Sequence, residues 1–169
     1  MGQLLMLFGI LVGSYGVITA LSAWLGWNLS AGLRGRISLA LLFLFTGTSH
    51  FYLTEEMVQM LPPSIPGRVE LVYLTGVLEI AGAVGLLIPA LSRLAAISLI
   101  LFLFAVLPAN IYAALNNVGM GAHGAGPVYL LARVPFQLLL VGWAYYFGVR
   151  RAQKGAVNWP RPVQAEPQS

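Results

Sequence analysis

The sequence predicts an all-α integral membrane protein: a four-helix transmembrane bundle preceded by one extra N-terminal transmembrane helix. Three observations predict it. Of 169 residues, 59% are hydrophobic and 8% charged, whereas a soluble domain has about a quarter of its residues charged. The apolar residues are blocked into long runs, the mark of lipid-facing helices. The few charges gather at the ends of those runs.

A helix rises ~1.5 Å per residue and the hydrocarbon core is ~30 Å thick, so ~20 residues cross it. Runs of that order cover residues 3–27, 37–53, 69–89, 94–115 and 128–148. The first lacks the basic start of a signal peptide and closes on Trp24 and Trp27. Tryptophan suits the membrane interface, so this run reads as a retained span. The second is short, and its polar flanks can sit at the interface. The third carries Glu79 near its middle. The fourth and fifth contain Pro108 and Pro135, each able to free backbone carbonyls nearby.

The connectors are short. Segments 28–36 and 90–93 carry arginine, and 116–127 is glycine-rich. Segment 54–68 is acidic, then amphipathic, then proline-rich; it reads as a membrane-hugging connector. The other reading is an interfacial lid built on Met57, Val58, Met60 and Leu61. The transmembrane domain is therefore 1–148, and 149–169 is a basic tail expected to be disordered. Five spans put Arg34, Arg36, Arg93, Arg150, Arg151, Lys154 and Arg161 on one side and Arg68 on the other. Basic residues are retained on the cytoplasmic side, which predicts the N-terminus outside and the C-terminus in the cytoplasm. The expected location is a bacterial plasma membrane.

Several chemistries are excluded. The chain has no cysteine, hence no disulfide, thiolate nucleophile or iron–sulfur ligation. Its net charge of +4 follows helix ends and the tail, which is a topology signal and not a nucleic-acid patch. No P-loop, dinucleotide fingerprint or Ser/His/Asp pattern is present. His50 and His123 are too sparse for a di-iron site, and zinc or copper would lack compact ligand spacing, so no metal is expected.

What remains is a set of polar groups at bilayer depth. His50, Glu79, Asn110, Arg133 and Gln137 come from four runs and fall at comparable levels, in the outer half of the predicted bilayer. A central Arg or Lys costs about 2.5–3.5 kcal/mol on insertion scales, so such groups are expected to face one another inside the bundle. Glu79 and Arg133 are the natural ion pair, with His50, Asn110 and Gln137 as hydrogen-bond partners. Spacing agrees: Tyr129, Arg133 and Gln137 recur every four residues, as do Thr46 and His50. Gly76, Glu79, Gly82 and Gly85 recur every three, placing the acid among small residues that let helices approach closely. The plain alternative is that the pair only fixes helix register.

From Ser38 to Phe147 the chain resembles the DoxX and DoxX-like membrane proteins. The matching pieces are FTGTSHF at 45–51, the LP and P of LPPSIP at 61–66, VYLTGVLEIAGAVGLLIP at 72–89, LPANIY at 107–112 and RVPFQ at 133–137. The resemblance implies a four-helix core formed by the second to fifth spans, the first being an addition. It places His50, Glu79, Asn110, Arg133 and Gln137 inside the matching motifs. Some members are subunits of a thiosulfate:quinone oxidoreductase, and others accompany oxidative-stress proteins or amine-dehydrogenase maturation. Without cysteine, this chain would need a partner subunit or non-covalent binding to handle sulfur. A looser likeness in architecture links these bundles to sterol isomerases, whose cavities bind hydrophobic amines and sterols.

Two functions follow as expectations. In the first, the chain is a redox-associated subunit that binds a quinone or similar hydrophobic small molecule and works with a soluble or membrane redox partner. Glu79 and His50 would be the catalytic proton carriers. Asn110, Arg133, Gln137, Tyr129 and Thr46 would bind the ligand. In the second, it is a non-enzymatic scaffold or a lipid- or sterol-binding protein, and the cluster merely ties the helices together.

Overall fold

The computed structural model describes residues 2–118 and 126–151. Each of the five apolar runs forms a helix: α1 (Gly2–Trp24), α2 (Ala31–Tyr52), α4 (Arg68–Leu87), α5 (Ser92–Leu115) and α6 (Gly126–Arg150). A short helix, α3 (Thr54–Gln59), lies in the connector between α2 and α4. There is no strand among the described residues. Four helices, α1, α4, α5 and α6, are long and apolar enough to cross a membrane. α2 has 22 residues but is less apolar, since Arg34, Arg36 and several hydroxyl side chains lie within it. His123 and the tail from residue 152 lie outside the described residues.

Two helix ends differ from the sequence expectation. α2 starts at Ala31 rather than 37 because Ser30 caps it, its Oγ accepting the Leu33 N–H at 3.2 Å. Gly32, Gly35 and Arg36 are consequently buried helix residues and not a connector. α1 stops at Trp24, and the chain turns at Gly26, whose φ of 67° favours glycine. Trp24 is 81% exposed, as an interfacial ring should be, while Trp27 lies past the helix in the turn.

Small residues decide which helices touch. α2 and α4 make the most extensive contact in the bundle. A Cβ on Gly76 would lie 2.7 Å from the His50 Cβ and 3.0 Å from the Gly47 carbonyl oxygen, so these backbones meet with no space between them. α4 meets α5 through Gly82 and Gly85, where an added Cβ would come within 2.6 Å of Leu99 and 2.8 Å of Ala95. The glycines spaced by three thus serve two partners. Three residues turn a helix to about 60° short of a full circle, so Gly76 and Glu79 face α2 while Gly82 and Gly85 face α5.

α1 buries Leu4, Leu7 and Leu11 against α2 and α6. A π-helical turn at Gly9–Gly13 interrupts it, and another, Ala144–Arg150, ends α6. Near that end Trp143 donates its indole N–H to the Gly35 carbonyl at 3.0 Å, and Tyr15, Trp143 and Phe147 pack ring against ring. The aromatic contact locks α1, α2 and α6 together at the arginine-rich end.

Candidate functional site

The site begins with the α2–α4 seam. Because Gly76 has no side chain, the His50 ring can lie over α4 and reach one turn deeper along it. Its Nδ1 lies 2.9 Å from the Val72 carbonyl and 3.1 Å from the Thr75 hydroxyl. Its Nε2 lies 3.5 Å from Glu79 Oε1. The other carboxylate oxygen, Oε2, accepts the Thr46 hydroxyl at 2.5 Å. Thr46 has one proton and its alternative acceptors, the Leu42 and Phe43 carbonyls, lie at 3.2 and 3.4 Å, so the carboxylate takes it.

This arrangement settles where protons belong. A carbonyl oxygen can only accept, so Nδ1 must carry a hydrogen. Nε2 and Oε1 then face each other, and two lone pairs at this separation would repel. A proton between them, on nitrogen or on oxygen, would make the contact attractive. With one such proton the His50–Glu79 dyad is neutral as a unit, whichever atom carries it.

The dyad forms part of the wall of a cavity of about 440 Å³ lined mostly by apolar side chains. That is within the ~300–1,000 Å³ range of ligand pockets. Asn110 and Arg133 line it, as do Thr46 and Tyr129. Asn110 donates one N–H to the Val106 carbonyl at 3.0 Å, leaving its second N–H and its oxygen for another partner. Tyr129, in a 3₁₀ turn over residues 126–129 at the start of α6, stands beside Arg133. The Arg133 Nε is buried with no hydrogen-bond partner among the described residues.

The expected Glu79–Arg133 ion pair is corrected: the acid pairs with His50, and Arg133 meets no carboxylate among the described residues. Sequence gives depth along a helix but not which neighbour the face meets, and the Gly47–Gly76 contact gives Glu79 to α2. Gln137 lies away from the cavity. Two steps of four residues rotate it about 80° from Tyr129, and its amide instead donates to the Leu103 carbonyl of α5 at 2.7 Å.

Two contributors were missed. Thr75 supports His50 and lies four residues before Glu79, a spacing that could have flagged it. Gln3 of α1 lines the cavity with a buried, unpartnered side-chain oxygen; it is the first polar side chain of an otherwise apolar run. Met57, Met60 and Leu61, which the lid reading of segment 54–68 names, line the cavity. No cluster of three metal-ligating side chains forms among the described residues.

A family model described as a domain of unknown function, DUF8561, matches residues 39–148. The chain belongs to the DUF8561 family. The match takes in most of α2 and nearly all of α6, with everything between, so the dyad, Asn110 and Arg133 are DUF8561 positions, while α1 with Gln3 precedes the matched region. Neither the curated proteins nor the solved structures contain a match to this DUF8561 chain.

Proposed function

We propose that this DUF8561 protein is a DoxX-like membrane subunit that binds a quinone, or a similar hydrophobic small molecule, for redox work with a partner protein. The observation that carries the reading is the His50–Glu79 contact on the wall of a mostly apolar cavity that Arg133 also lines. A quinone carbonyl is an acceptor and takes up a proton with each electron it gains. Arg133 and the free N–H of Asn110 supply donors for the carbonyl oxygen. The His50–Glu79 dyad supplies the proton and is refilled from the aqueous end. The electrons come from a soluble or membrane redox partner.

In this reading α2 also crosses the bilayer, giving five spans with the N-terminus outside, the C-terminus cytoplasmic and the cavity in the outer half of a bacterial plasma membrane. Arg34, Arg36, Arg93, Arg150 and Arg151 all lie at the end away from the cavity, which supports that orientation.

The test is to purify the protein gently from its own membranes and identify retained small molecules by mass spectrometry, beside Glu79→Gln and Arg133→Ala. A quinone or isoprenoid held by the wild type and lost from both variants supports the reading. Empty cavities in all three, with a protein partner retained instead, would replace it with the scaffold function.

A further inference from the structure

The cavity has an open side, and its position selects the shape of the ligand. α4 and α5 are joined through the short turn at residues 88–91 and are tightly packed beside it, at Gly82–Leu99 and Gly85–Ala95. One turn farther from the junction the side chains of α4 are left uncovered. Leu78 shares the α5-facing side of α4 with Gly82, yet it is 50% exposed and lines the cavity. Leu74 behaves in the same way at 53%. Across the gap α5 presents Phe102, Ala105 and Ala109, which also line the cavity. The two helices therefore form a V that is closed at the arginine-rich end and open alongside the dyad. Its mouth is rimmed by apolar side chains and faces sideways, where a membrane-spanning helix meets lipid. The other end is covered by Met57, Met60 and Leu61.

We infer that the ligand is a tailed amphiphile that enters from the bilayer between α4 and α5. Its polar head reaches the dyad and Arg133, and its apolar chain stays in the cleft lined by Leu74, Leu78 and Ala105. Three features support this occupant over a compact water-soluble one. The cleft is continuous with the cavity. Every named cleft residue is apolar. And a cavity of about 440 Å³ has room for a ring-sized head while leaving a long chain to lie outside it. The inference deepens the quinone-site reading and rests on it.

The test compares a dimethoxy-methyl-benzoquinone without a chain and the same ring with a decyl chain, both bound to full-length protein in nanodiscs. The expected result is at least tenfold tighter binding of the decyl compound. Leu78→Trp and, separately, Ala105→Leu should remove that advantage, and a melting temperature in nanodiscs near that of the wild type shows that each variant is folded. Equal affinities for the two compounds, or an advantage that survives both substitutions, would overturn the cleft while leaving the head site intact. Failure of both compounds to bind wild type would overturn the quinone reading itself, and the cleft with it.

Discussion

At Glu79 the two carboxylate oxygens meet different partners, and the difference predicts different losses. Oε2 depends on one hydroxyl, that of Thr46. Thr46→Val should leave a buried oxygen without a donor, a loss of about 1–3 kcal/mol, read as a lower melting temperature in detergent and recovered by Thr46→Ser. Thr75→Val should cost less, because His50 Nδ1 keeps the Val72 carbonyl at 2.9 Å. Glu79→Gln has another signature. The amide fits the same space and still accepts from Thr46, so the protein should insert and melt near the wild type. It cannot exchange a proton with His50, so quinone retention or reduction should be lost. A variant that binds and reduces quinone as the wild type does would sink the role assigned to the acid.

At the scale of the element, the decisive contact is that of α2 on α4. Gly76→Ala would drive its Cβ against the His50 Cβ and the Gly47 carbonyl, and overpacking of this kind costs about 1–3 kcal/mol. Gly16→Ala is the control, since nothing lies within 4 Å of its added Cβ; it should be neutral or slightly stabilising through helix propensity alone. Thermal melts of the two variants check the contrast. The same seam explains what could be read in advance. Run length and hydropathy indicated where the helices would form, and depth indicated that His50, Glu79, Asn110, Arg133 and Gln137 would lie at similar levels. Rotation was not legible. A spacing of three or four drifts around a helix, so Gly82 left the face of Glu79 and Gln137 left that of Tyr129. The partner of Glu79 depended on a backbone contact between residues far apart in the chain, which no local pattern encodes. Gln3 escaped notice because a lone amide near a chain start carries no periodic signal.

For the whole molecule, the absence of cysteine makes orientation directly testable. Single Gln59→Cys and Ala90→Cys variants place a thiol at exposed sites in the connectors before and after α4. In intact cells a membrane-impermeant maleimide should label Gln59→Cys alone, with Ala90→Cys labelled only after permeabilisation; the reverse pattern would invert the proposed topology. The placement of Arg133 has a consequence for ion permeability. The dyad is neutral as a unit, and Glu55, Glu56 and Glu70 are exposed, so the guanidinium is the permanent charge of the cavity. A sodium or potassium ion ~5 Å away would be repelled by roughly 3 kcal/mol at an effective dielectric of ~20. Proteoliposomes carrying the protein should hold a potassium gradient as well as empty vesicles do: a chamber open to lipids is electrically shut to cations.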